Sequence, residues 1–326
     1  MSITILIACV ISVTGIWSRW DRHDGNWDEL APLLAANGYD TVFYMAAYGP
    51  VIDDEGLREC LDACLPLGIE VHAWVVMWRI DYVSGVQLEI LQSEERLQAY
   101  SDGEVIRNWL NPTDPGNVEL MAETCLRIAA EYPVTGIHLD YIRYKYYLSG
   151  YSENTLDRFL EEMNLRSVDW PDDCIRDGQY YERFMEWRAG RMTDAVRAVR
   201  DSLNRINRVV QLSAAVMPHE REMLPFGQMW NRWLELGLLD FVVTMNYTES
   251  DSQFVLWGEE QLELAGDHMI LCGIGEMSSS AELTGSEVFH QTALAENMGF
   301  DGCVIYHLCD EVIERLQRSS DRDPGD

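Results

Sequence analysis

The sequence predicts a single (β/α)8 barrel, and three observations carry that expectation. Eight short apolar runs rich in Val, Ile, Tyr, Phe and Met alternate with eight helical patterns along 326 residues. Gly38, Gly68, Gly237 and Gly299 each stand between the end of a helical pattern and the next apolar run, where a helix C-cap belongs. No glycine-rich phosphate loop follows any run, which sets aside a doubly wound nucleotide-binding sheet.

The strand-like runs fall near 11–18, 40–48, 69–77, 134–140, 209–217, 239–246, 268–274 and 301–307. They are apolar almost throughout, as parallel strands buried on both faces are. The helical patterns lie at 27–37, 55–67, 115–131, 180–207, 228–237, 254–265 and 284–298, with a last one from about 310. The pattern at 180–207 is the clearest, placing Met192, Val196, Val199, Leu203 and Ile206 on one stripe, which is core packing. No internal repeat or Pro/Gly/Ser-rich linker divides the chain. One barrel domain over 1–318 is therefore expected, followed by a disordered polar tail at 319–326.

The formal net charge is −31, with 55 acidic against 24 basic side chains. Such a surface repels nucleic-acid phosphates and excludes that partner class. Lys145 is the sole lysine among the 24 basic residues. Of the eight cysteines, Cys60 and Cys64 sit one helical turn apart, while Cys272, Cys303 and Cys309 lie in or beside apolar strands. Buried thiols are expected, and the absence of a C-x-x-C pair argues against a zinc ribbon. Ile3 to Val13 has the apolarity of a short signal segment, and Leu6 to Cys9 the look of a lipoprotein cleavage box. No positive residue precedes that run, and it is too short for a membrane span.

A barrel places its chemistry at the C-terminal strand ends and in the loops that follow. Two of these loops are long, from Trp78 to Pro115 after the third strand and from Arg143 to about Gly178 after the fourth. Loops of that length on that face commonly build a substrate cleft. The fourth strand is the most informative: an apolar run ends on Asp140 and delivers Arg143 between Tyr141 and Tyr144. Other strand ends contribute Trp17, Arg19 and Trp20, then Tyr44 and Tyr48, then His72, Trp74 and Arg79. Beyond the fifth strand come His219 and Glu220, beyond the sixth Asn246, Tyr247 and Glu249, then Glu276, Tyr306, His307 and Asp310. Asn111 lies in the third-strand loop.

Aromatic rings stack on sugar faces while Asp, Asn and Arg bind hydroxyls, so the expected partner is a carbohydrate polymer or oligosaccharide. Glycoside hydrolysis needs two carboxyl groups. Asp140 is the best-placed member of such a pair, and Glu249 is the first choice of partner, ahead of Glu220, Glu276 and Asp310. No cofactor or metal is expected: the first strand carries no H-x-H, His72 and His138 stand alone, and no G-x-S-x-G occurs.

These motifs resemble the glycoside hydrolase-like family 10 proteins, bacterial carbohydrate-active TIM barrels whose characterised relatives act on glycan strands such as peptidoglycan. The resemblance rests on Gly136 to Tyr144, Trp109 to Pro112, Leu212 to Val216, Gly227-Gln228-Met229-Trp230, Gly237 to Val242 and Met245 to Thr248, in that order. It departs at Lys145, where a proline is usual. The resemblance implies a sugar-polymer ligand, a location outside the cytoplasm, and a site lined by Asp140, Arg143, Asn246 and Tyr247. The full expected set is Asp140 and Glu249 as catalytic groups, with Arg143, Asn246, Tyr247, Trp74, His72, Tyr44, Trp17, Asn111, Gln228 and Glu276 binding substrate. A non-catalytic glycan-binding barrel is the alternative, and a metal-dependent polysaccharide deacetylase a weaker one.

Overall fold

A computed structural model describes residues 13–21 and 26–320. The expectations for the apolar run from Ile3, for Cys9 and for the residues after Ser320 lie outside them. Eight parallel strands form the barrel: β1 Val13–Ser18, β2 Thr41–Tyr48, β3 Glu70–Val76, β4 Gly136–Asp140, β5 Gln211–Val216, β6 Phe241–Met245, β7 Ile270–Gly275 and β8 Gly302–Leu308. Each pairs with the next in sequence, and β1 pairs with both β2 and β8, so the sheet closes on itself. Outer helices follow: α1 Trp27–Ala36, α2 Asp54–Cys64, α3 Pro115–Glu131, α4 Tyr181–Leu203, α5 Trp230–Glu235, α6 Asp251–Ala265, α7 Gly285–Met298 and α8 Asp310–Ser320.

The (β/α)8 barrel expected from the alternation is the fold observed. Local chemistry explains several boundaries. Asp114 caps α3 through the amide of Asn117 with Pro115 at the first turn, and Thr284 with Glu287 closes a capping box on α7. Gly299 ends α7 at φ +102°, a conformation a side chain resists. The last helix runs to Ser320, two residues into the stretch expected to be a frayed tail.

Strand pleating divides the interior into two layers. Ile16, Val42, Tyr44, Val71, Ala73, Ile137, Leu139, Leu212, Val242, Cys272 and Ile305 face the helices in the main core. Trp17, Phe43, Met45, Trp74, Val76, Ala215, Phe241, Val243, Leu271 and Val304 fill the barrel itself. His138 shares that inner space, with its ring 4.6 Å from Phe43 and 5.8 Å from Trp17. The described cysteines are all buried and free.

The two long loops are structured, a feature the apolar periodicity did not show. The first carries a helix at Gly85–Ser93 and an antiparallel pair, Leu97–Ala99 with Val105–Leu110. The second carries a helix at Glu153–Glu162 and packs Tyr151 and Phe159 against Phe184 and Trp187 of α4 in a separate aromatic cluster. A short helix, Glu220–Phe226, follows β5. Among the described residues no helix is long and apolar enough to cross a membrane.

Candidate active site

Asp140 is the last residue of β4 and is only 8% exposed. The next residue, Tyr141, takes a left-handed conformation at φ +51°, and its amide turns back to donate to Asp140 Oδ1 at 2.6 Å. From the adjacent β3, Trp74 Nε1 donates to Asp140 Oδ2 at 3.1 Å. Burial pushes the Asp140 carboxyl above the usual carboxylate range. The Tyr141 amide, the Arg143 and Arg19 charges and the Trp74 indole oppose that rise without cancelling it. The same burial lowers the Arg143 guanidinium, against the pull of Tyr141, Asp140 and Glu222.

Asp140 opens into a cavity of about 830 Å³ at the C-terminal mouth of the barrel. Rings of Trp17, Tyr48, Trp74, Tyr141, Tyr247, Trp257 and Tyr306 wall it, with Arg19, Arg79, Arg143, His219 and Ser278 to Ser280 as polar groups. Tyr247 and Tyr306 stack at 5.1 Å, and Tyr247 stands above Gly275, where an added Cβ would come within 2.8 Å of the Tyr247 ring. Glu222, on the short helix after β5, is the other carboxylate among the described lining residues. A second cavity of about 410 Å³ adjoins the first, sharing Arg79, Tyr141, Arg143 and Met217 and adding Trp109, Lys145, Tyr146 and Phe226.

The expected site residues divide sharply. Asp140, Arg143, Tyr247, Trp74 and Trp17 converge on the main cavity. Tyr44, Asn246 and Glu276 do not, because strand parity turns them toward the helices. Tyr44 lies between inward-facing Phe43 and Met45, and its hydroxyl donates to Asp53 at the start of α2. Asn246 exchanges amide hydrogen bonds with Gln261 of α6 at 2.7 and 3.0 Å. Glu276 holds Arg315 of α8 through two bonds of 2.7 and 2.8 Å.

The remaining candidates act as scaffold. His72 faces inward, but a layer below the mouth, against Phe43 and Phe241. Asn111 ties the two long loops together through Thr113, Ser152 and Thr155. Gln228 accepts from the Met217 amide and donates to Ala215 O, fixing the chain leaving β5. Glu249, the expected partner of Asp140, is exposed and accepts from the Glu282 amide, outside the cavity lining. Glu220 and Asp310 are exposed as well.

Sequence reasoning missed Glu222 and Trp257. The available signal was the acid-rich stretch after β5, from which Glu220 was taken instead. A seven-residue helix decides which of the two faces the cavity, and periodicity does not resolve so short an element.

Among the described residues no group of three or more His, Cys, Asp or Glu is arranged to hold a metal ion. The lining of the mouth offers acid, guanidinium and aromatic side chains.

Comparison with solved structures shows the same architecture. The glycoside hydrolase domain of PgaB (BpsB) from Bordetella bronchiseptica aligns with TM-score 0.69 at 12% identity, over 95% of this chain and 98% of that one. The β-galactosidase of the psychrophilic Marinomonas ef1 aligns with TM-score 0.67 at 12% identity, over 94% of this chain, which spans 59% of that enzyme's length. A GH18 chitinase from Pseudoalteromonas aurantia aligns with TM-score 0.52 at 11% identity, covering 94% and 100%. At these identities the likeness is one of fold. No curated protein matches the sequence. The family described as Glycosyl hydrolase-like 10 matches residues 54–261, a span that runs from the start of α2 into α6 and includes Asp140, Arg143, Glu222 and Tyr247. The chain belongs to the glycosyl hydrolase-like 10 family.

Proposed function

We propose that the protein is a glycoside hydrolase acting on a glycan chain, with Asp140 as its general acid. The observation that carries this reading is a carboxyl group at the floor of an aromatic cleft, held above its ordinary pKa by burial and bonded by Trp74. A carboxyl whose burial makes it hold its proton to higher pH than an ordinary Asp can give that proton to a glycosidic oxygen as the bond to the anomeric carbon breaks. Tyr247, Tyr306 and Trp17 supply faces for the sugar rings, and Arg143 supplies positive charge beside Asp140 once its proton has gone.

Glu222 takes the place expected for Glu249. It lines the cavity and lies within electrostatic reach of Arg143. It either accepts a proton from the attacking water or bonds to the anomeric carbon itself, according to its separation from Asp140: about 5–5.5 Å for the second course and about 6.5–9.5 Å for the first.

A second reading, a non-catalytic glycan-binding barrel, is favoured by one observation: Glu222 sits on a seven-residue loop helix rather than on a barrel strand. Incubation of the wild type, D140N and E222Q with a panel of polysaccharides separates the two. New reducing ends from the wild type alone support hydrolysis. Binding by all three proteins without any cleavage supports the second reading.

A further inference from the structure

The smaller cavity beside the catalytic one differs in charge from the rest of the molecule. Its described lining includes Arg79, Arg143 and Lys145 and no carboxylate, in a chain of net charge −31. Arg79 is matched by Asp81, which it contacts directly. The other two cations are not matched: among the described residues neither Arg143 nor Lys145 has a carboxylate within ion-pair distance. Asp140 and Glu222 reach Arg143 only through space, from the side of the main cavity.

Both unmatched cations are instead held by rings and carbonyls. The Arg143 guanidinium stands 5.7 Å from Trp109, 5.1 Å from Tyr141 and 5.7 Å from Phe226. Its Nη1 donates to the Tyr144 and Lys145 carbonyls at 3.2 Å, which fixes the two cations on one short turn. Lys145 Nζ lies 5.5 Å from Tyr100 and 5.8 Å from Tyr146. Ring faces and carbonyls orient a cation but leave its full charge available to a ligand, whereas a carboxylate neutralises it.

The cleft thus joins an aromatic floor that holds Asp140 to an arm with two available positive charges, lined also by Trp109 and Phe226. We propose that this arm is a saccharide subsite selecting an anionic sugar unit, with Arg143 and Lys145 binding its acidic substituent. The proposal rests on the glycan reading above and narrows it to acidic glycans. A carboxylate fits the planar guanidinium fork through two parallel bonds. A sulfate ester presents the same charge, and the test distinguishes the two.

The test is binding of the intact protein to matched pairs of oligosaccharides. Uronic-acid oligosaccharides are compared with the same chains after reduction of each carboxyl to an alcohol, and sulfated chains with their desulfated forms. The expected result is that the acidic member of at least one pair binds about 10-fold more tightly, the worth of one charge-assisted hydrogen bond. Preference within the carboxylate pairs identifies a uronic-type unit, and preference within the sulfate pairs a sulfated one. K145Q is expected to shrink that preference while leaving the neutral member's affinity unchanged, and K145R to retain it. A residue that merely propped the loop would weaken both members alike. Equal binding of both members in every pair overturns the anionic subsite and leaves the glycan reading standing. Binding of no oligosaccharide at all overturns the glycan reading and the subsite with it.

Discussion

Trp74 and Asp140 are joined across two neighbouring strands: the indole Nε1 donates to Oδ2 at 3.1 Å, on a carboxyl whose other oxygen already takes the Tyr141 amide. A donor to the ionised form lowers an acid's pKa, so this bond restrains the rise that burial causes. W74F keeps a ring in place and removes the donor. The Asp140 pKa is then expected to rise further, moving the alkaline limb of the kcat/KM profile to higher pH while the maximum falls about 3- to 10-fold. A profile measured between pH 4 and 9 for both proteins checks the shift.

The raised pKa of Asp140 has a thermodynamic counterpart. Between the ordinary Asp value of about 3.9 and the higher folded value, the folded chain holds more protons than the unfolded one, so stability falls as pH rises through that window. D140N removes the group that must ionise in a buried place. Thermal melts should show D140N more stable than the wild type at pH 7.5, with the gap closing at pH 4 and below. Activity of D140N should fall about 10²- to 10⁴-fold, the usual contribution of a general acid.

Glu222 is expected to matter for turnover and not for binding. E222Q preserves shape and should lower kcat by about 10²-fold or more, with oligosaccharide affinity within about twofold of the wild type. E249Q, altered at an exposed position outside the cavity, should match the wild type in both.

Strand parity yields a separate set of expectations. Asn246 and Glu276 stand next to cavity-lining residues in sequence but serve the helix layer, through Gln261 and Arg315. N246A, by stranding the buried Gln261, should cost about 1–3 kcal/mol of folding free energy, and E276Q, by weakening the hold on half-buried Arg315, about 1 kcal/mol, and both should leave KM unchanged. Y44F should behave likewise at about 1 kcal/mol, through the lost bond to Asp53. Denaturant melts and kinetics on the same preparations separate the two effects.

The barrel was legible because its signal is repeated: eight runs and eight helical patterns each support the others. Asp140 was legible for a different reason, a carboxylate, an arginine and two tyrosines crowded at the close of a buried strand. Parity was not legible. In β2, β6 and β7 both faces are buried, so the apolar pattern does not alternate and nothing marks Tyr44, Asn246 or Glu276 as facing outward. His138 and Asp140 share a face, two residues apart on β4, and inter-strand register from that pair sorts the others. Register is set by hydrogen-bonded partners distant in sequence. Glu222 was hidden for want of length: its helix spans seven residues, too few for a periodic stripe.

The role of Asp140 as proton donor is tested most directly by leaving-group dependence. Aryl glycosides of the sugar that the polysaccharide panel identifies, with phenols of graded acidity, are hydrolysed by wild type and D140N under one set of conditions. An enzyme that protonates its leaving group barely notices phenol acidity, whereas one lacking the acid depends on it steeply. The account predicts a shallow dependence for the wild type and a steep one for D140N, with near-normal rates surviving only on the most acidic phenols. The same slope for both proteins would contradict it.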